Sequence, residues 1–340
     1  MTNCRQTSNK ANMATLCERD ERIDSVKYWL IVLVIAGHIF LRPEFTSIVC
    51  IVTWKWIYLF HMPLFIFISG YFSRKKDKED IWLSIWKLLE PLIVFQTLAI
   101  LFKLIQEGSV SLHYILTPWY ALWYLLSLIL WRLILQILPD NFLENTKLIL
   151  LLTFFISIII GFLPFNELLS IQRTLSLMPF FFLGYCMKGR NIILPKKYRP
   201  LSLIFLFTIT LILIFFHNHL GSLIHSTPYK TIYGALNRIT VFFLAIPMSL
   251  AFINICPINT WTAHQGELTM QYYIYHTLAI TPLMIIADKL AIPMSFFSAI
   301  FFVFIITIGI QIMSHLPNFR KFTNPSSFLV YRKKENEDSH

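Results

Sequence analysis

Between residues 23 and 313 the chain alternates long apolar stretches with short polar ones. Ten such stretches emerge, at about 23–41, 46–72, 81–105, 114–138, 148–163, 170–187, 201–216, 232–255, 268–287 and 292–313. Most approach the roughly 20 apolar residues that cross a bilayer as a helix. Apolar positions follow one another without strict alternation, which excludes a β-barrel. The pattern predicts an all-α polytopic membrane protein of about ten transmembrane helices. The polar flanks 1–22 and 317–340 read as cytoplasmic tails around one membrane domain, 23–316. Pro63 lacks a backbone donor and is expected to kink the second span, and Glu90-Pro91 falls in the middle of the third.

Composition agrees with this class. Of 340 residues, 56% are hydrophobic and only 14% charged, more apolar surface than a soluble domain hides. The net charge of +11 would suit a nucleic-acid ligand if it formed one patch, but Lys and Arg sit between and beside the apolar runs. Their placement is a topology signal. With the N-terminus in the cytoplasm, the inner segments hold Arg19, Arg22 and Lys27, then Arg74, Lys75, Lys76 and Lys78, then the 188–199 cluster, and finally the basic tail. The outer loops hold only Arg42, Arg173, Lys230 and Lys289. This bias puts both termini inside and predicts a multi-pass protein of the cell inner membrane, with the lipid bilayer as a partner and no nucleic acid.

Charge inside an apolar span is costly, so ionisable residues there usually face a cavity. The first span carries three: Asp24, Lys27 and His38. Asp24 and Lys27 are three apart and therefore neighbours on a helix. Lys27 and His38 are eleven apart, about three full turns, so both point the same way, separated by roughly 16 Å along the axis. One helix face thus offers a cation low down and an imidazole about half a bilayer higher. A neutral imidazole can take a proton from a hydroxyl near physiological pH. Each residue also has a structural reading: Lys27 as a snorkelling anchor, His38 as a histidine bonded to a neighbouring helix.

His61 beside Pro63, and His276 among the tyrosines of the ninth span, are further candidates of the same two-sided kind. Arg238 lies deep enough in its span to need an anionic ligand group or a carboxylate. Trp123 reads as interface belt or as a face on which a sugar stacks. His217, His219 and His225 fall in an outer loop without cysteine or carboxylate support, so no metal site is expected. Glycine-rich phosphate loops, GxSxG and paired catalytic carboxylates are absent from the sequence.

Four stretches resemble the acyltransferase 3 family of integral membrane O-acyltransferases, and within it the fucose 4-O-acetylase-like branch. They are Asp24-Ser-Val-Lys27 running on to Gly37-His38, Phe60-His61-Met62-Pro63-Leu64-Phe65 running on to Ser69-Gly70-Tyr71, Leu122-Trp123-Tyr124-Leu125, and Pro179 to Gly184 together with Tyr273-Ile274-Tyr275-His276. Lys27 and His38 fit the family's pattern of a basic residue, ten residues, then histidine. Lysine there is similar to the fucose-acetylase-like branch and lacks arginine's bidentate fork. The resemblance implies transfer of an acetyl or similar acyl group from cytosolic acyl-CoA, a co-substrate and not a bound cofactor, to a sugar hydroxyl. The acceptor would be a cell-surface or exported glycan or its lipid-linked precursor, in polysaccharide modification at the cell envelope. Lys27, with Lys75 and Lys76, would hold the phosphates or thioester end of acyl-CoA, and Asp24 would orient Lys27. His38 would deprotonate the acceptor or carry the acyl group, with His61 a second polar contact near the thioester. A transporter or exporter of a glycan or lipid-linked intermediate is the other reading, since broken spans and intramembrane charge suit it as well.

Overall fold

The computed structural model describes residues 20–165, 167–220, 223–316 and 319, so most of both predicted tails lies outside it. Every regular element among the described residues is a helix. In chain order they are α1 (Glu21–Phe40), α2 (Ile48–Tyr71), α3 (Lys78–Glu107), the short α4 (Leu112–Leu116), α5 (Trp123–Ile137), the short α6 (Asp140–Glu144) and α7 (Thr146–Ile159). There follow α8 (Ile171–Cys186), α9 (Arg199–Phe216), α10 (Ile232–Ile255), α11 (Thr260–Glu267), α12 (Thr269–Lys289) and α13 (Phe296–Ser314). By length and composition six are suited to crossing a membrane: α1, α2, α3, the helical stretch Lys196–His219 around α9, α10 and α13. The other predicted spans correspond to shorter or more polar helices: α5, α7, α8 and α12.

Helix α1 lies at the centre, packed on α2, α11, α12 and α13. Its most extensive packing is on the short α11; helix α2 also packs on α1 and in turn on α8, α9 and α10. Burial follows from this arrangement. Leu30, Ile31, Ile35 and Ile39 of α1 are wholly buried, whereas Trp82 and Phe102 of α3, Leu201 and Phe207 of α9, and Phe297 and Phe304 of α13 point outward. In a bilayer such outward apolar faces are solvated by lipid, so helices are held together by close packing and hydrogen bonds. The α2–α8 crossing shows the first of these. A Cβ placed on Gly70 would overlap the Phe181 carbonyl, and one on Gly184 would overlap the Phe67 carbonyl, so the two backbones touch through paired glycines. Buried hydroxyls supply the second: Ser127 bonds Thr174 at 2.6 Å, and Ser157 donates to the Ser176 carbonyl at 2.6 Å.

The fourth predicted span is not one helix. It breaks between α4 and α5, where Pro118 holds Thr117 in extended backbone (φ −98°, ψ 115°) and Tyr120 takes a left-handed φ of +50°. The ninth, α12, is preceded by a separate short helix, α11, whose start is sealed by a reciprocal capping box of Asn259 and Thr262. The Thr262 hydroxyl also donates to Ser25 at 2.9 Å, and Trp29 donates to the Pro257 carbonyl at 3.1 Å. These bonds clamp the Lys27 end of α1.

Candidate functional site

Two cavities lie along one face of α1 and share Met62 as a common wall. Lys27 and Val34 border the first, of about 170 Å³; His38 and Leu41 border the second, of about 300 Å³. Those four positions follow one another at seven, four and three residues, which is one stripe of an α-helix. Lys27 and His38 therefore share a face, as their spacing predicts.

At the Lys27 end, the Lys27 ammonium pairs with Asp24 at 2.5 Å, and the Asp24 side chain is almost fully enclosed. The rest of that cavity is mainly apolar, with Ser69 and Tyr124 joined by a 2.6 Å hydrogen bond and Tyr273 bonded to the Ala121 carbonyl.

At the other end three imidazoles converge. His38 lies 5.3 Å from His276 between ring centroids and 4.6 Å from the Tyr120 ring. The Tyr58 hydroxyl stands 3.5 Å from His38 Nδ1, and the Tyr58 ring is 4.8 Å from His61. His61 Nδ1 bonds the Ile57 carbonyl at 2.8 Å and His276 Nδ1 bonds the Tyr272 carbonyl at 3.0 Å. A carbonyl only accepts, so in both rings Nδ1 carries a proton, and the neutral ring leaves Nε2 as an acceptor. Nε2 of His276 is buried without a partner. His38 has no backbone bond of this kind, and its ring faces the cavity.

The opposite wall comes from elsewhere in the chain. Arg173, in the first turn of α8, pairs with Glu167 at 3.2 Å and lies over the Trp123 ring at 5.3 Å, while its Nε is buried and unpartnered. Trp123 thus both lines the cavity and holds a cation over its face. Of the non-glycine residues with left-handed backbone, Tyr120, Ser170 and His225 all line this cavity. Each such conformation costs roughly 1–3 kcal/mol, and their gathering here marks a built site.

The sequence candidates divide accordingly. His38, His61 and Trp123 line the outer cavity, and His276 stands directly behind His38. Lys27 and Asp24 form the inner end. Lys75 and Lys76 follow the end of α2 beside neither cavity; Lys75 pairs with Asp140 at 2.8 Å, and the Lys76 amide donates to Gln136. Arg238 borders a different cavity, donates to the Ser157 carbonyl at 2.8 Å and lies over Tyr229. Sequence reasoning missed Tyr58, Tyr120, Arg173 and His225. Tyr58 had a signal, being three residues before His61 and so on its face. Arg173 and His225 read as outer-loop residues, and only the packing brings them inward. Among the described residues no group of three or more His, Cys, Asp or Glu could hold a metal ion.

A histidine without a backbone hydrogen bond, in a pocket with tyrosine hydroxyls and a guanidinium, can abstract a hydroxyl proton while its neighbours stabilise the charge that develops. No curated protein and no solved structure matches the chain. Residues 20–314, from the Asp20 cap of α1 to the end of α13, match the profile of the acyltransferase 3 family, described as an acyltransferase domain. This match covers well over half of the chain and takes in both cavities. The chain belongs to the acyltransferase 3 family and is a multi-pass membrane acyltransferase.

Proposed function

We propose that the protein is an O-acyltransferase that moves an acyl group, acetyl in the simplest case, from cytosolic acyl-CoA to a sugar hydroxyl. The acceptor is a cell-surface or exported glycan or its lipid-linked precursor. The observation that carries this reading is the shared face of α1, with Lys27 and His38 opening onto two cavities that meet at Met62. Acyl-CoA docks at the Lys27 end, where Lys75 and Lys76 meet its phosphates and Asp24 orients the Lys27 ammonium towards the thioester arm. The slender arm of CoA enters the inner, mostly apolar cavity and brings the thioester carbonyl past Met62.

The sugar hydroxyl enters from the other end. His38 takes its proton as the oxygen attacks the thioester carbonyl. The C–O bond forms, the C–S bond breaks, and the proton passes to the departing thiolate. His61, through its open Nε2, accepts a hydrogen bond from the acceptor sugar, and Trp123 offers an aromatic face beside it. Tyr58 and Arg173 face the charge that builds on the carbonyl oxygen. The chain crosses the inner membrane as about ten helices with both termini in the cytoplasm, as the basic segments favour, and the lysine at position 27 fits the fucose 4-O-acetylase-like branch.

Purified protein incubated with radiolabelled acetyl-CoA and a lipid-linked glycan extract tests the reading. Label should enter glycan with wild type and fall by about 10²–10⁴-fold in His38→Ala, the range for losing a general base. A folded His38→Ala protein with full transfer would refute the assignment. Movement of glycan across liposomes without any acyl donor would favour an exporter instead.

A further inference from the structure

A third cavity, of about 410 Å³, adjoins the histidine cavity at the His38 end of the bundle, and His225 stands in the wall of both. Lys230, Tyr229, Asn237, His219 and Arg238 line it, together with the first turn of α10. No aspartate or glutamate does. Arg238 is only 5% exposed, and among the described residues it makes no ion pair with a carboxylate. A guanidinium so enclosed is expensive without a counter-charge.

The surroundings hold it in place all the same. One Nη donates to the Ser157 carbonyl, and the guanidinium lies 4.6 Å from the centre of the Tyr229 ring. That ring fits because Gly161 and Gly234 have no Cβ; one on either would collide with it. The Tyr229 amide fixes the loop by donating to the Gly161 carbonyl at 2.6 Å. Two donors are left over: Arg238 Nε and the Tyr229 hydroxyl are both buried with no hydrogen-bond partner. Beside them, α10 starts at Thr231 without a side-chain cap; the Gly234 amide turns back to the Thr231 carbonyl, and the amides of Ile232 and Tyr233 are left to an anion.

We propose that this cavity binds an anionic oxygen group of the acyl acceptor, a phosphate or a carboxylate, and so holds the neighbouring sugar hydroxyl at His38. The inference rests on the transferase reading for the identity of the ligand as acceptor. It does not describe the CoA phosphates, because the cavity lies at the end of α1 opposite Lys27. Arg238 and the α10 amides bind the oxyanion, Lys230 closes over it from the exposed rim, and His225 separates it from the reacting hydroxyl.

The full chain in detergent, probed with inorganic pyrophosphate, glucuronate and neutral glucose, tests this by thermal shift and calorimetry. Pyrophosphate or glucuronate should raise the melting temperature of wild type and of His38→Ala alike, and glucose should not. Preference for pyrophosphate would identify a lipid-linked diphosphate, and preference for glucuronate an acidic sugar. Lys230→Gln, at an exposed position, should weaken the preferred anion about tenfold, the scale of one charge-assisted hydrogen bond. Arg238→Gln should abolish binding. If neither anion binds wild type, or Lys230→Gln binds as tightly as wild type, the proposal is overturned. Binding that depends on Lys230 in a protein without transferase activity would keep the anion site and reject only its role in acyl transfer.

Discussion

The glycine pair at the α2–α8 crossing offers a quantitative test of how the fold holds the site. In Gly184→Ala the new methyl would lie roughly 1.5 Å inside ordinary contact with the Phe67 carbonyl oxygen. The obstacle is backbone, so no rotamer change relieves it, and the helices must part by more than 1 Å, on the order of the overlap itself. Overpacking of this kind costs about 3 kcal/mol. At roughly 2–4 °C per kcal/mol, the melting temperature in detergent should fall on the order of 10 °C. The same displacement reaches the site, because α2 carries Tyr58 and His61 while α8 carries Arg173 on the facing wall. A shift of about 1 Å between reacting groups can lower kcat by ~10²-fold. The assay is therefore a melting curve together with acyl transfer at saturating acyl-CoA. A melting temperature within a degree of wild type would refute the claimed backbone contact. Normal kcat in a destabilised protein would show instead that the two cavity walls do not depend on this crossing.

Two further expectations follow from the site. Asp24→Asn leaves the Lys27 ammonium without the carboxylate it pairs with at 2.5 Å. About 2 kcal/mol of stability should be lost, less than for a fully buried pair because Lys27 is one quarter exposed, and the KM for acyl-CoA should rise about tenfold; an unchanged KM would mean that Asp24 does not orient Lys27. His225, in the loop before α10, is held down to about 3 by burial and by the Arg238 and Arg173 cations, against an ordinary 6.5. The unfolded chain thus binds a proton near 6.5 that the fold refuses, so this contribution is intact above 6.5 and is lost as pH falls towards 3. By pH 5 about 2 kcal/mol of it is lost, and the drop in melting temperature from pH 7 to pH 5 should be smaller in His225→Gln than in wild type. Equal drops would show that His225 is not the group responsible.

Hydrophobic patterning alone made the class of this protein legible, because a bilayer demands long apolar helices and the sequence supplies them as continuous runs. The inner core of the site was legible too. Asp24, Lys27 and His38 lie on one helix, and the geometry of a helix relates residues eleven apart whatever surrounds them. His61 stood out for a similar reason, beside a proline in an apolar span. The break between α4 and α5 was less readable: Pro118 is visible, but the left-handed turn at Tyr120 that aims this segment into the cavity is set by its neighbours.

What only the tertiary structure decided is which distant segments close around that helix face. Arg173 and His225 look like loop charges in the sequence, yet packing buries both against His38's cavity and leaves Lys75 and Lys76 outside it. Arg238 was recognisable as a buried charge, but the Tyr229 ring against it is seated by Gly234 of the arginine's own helix and by Gly161, more than seventy residues before Arg238 in the chain. Local sequence determines the direction of a side chain on its own helix. The company it keeps depends on how helices cross, and that is settled by contacts such as Gly70 with Phe181 and Gly184 with Phe67, formed between residues more than a hundred positions apart.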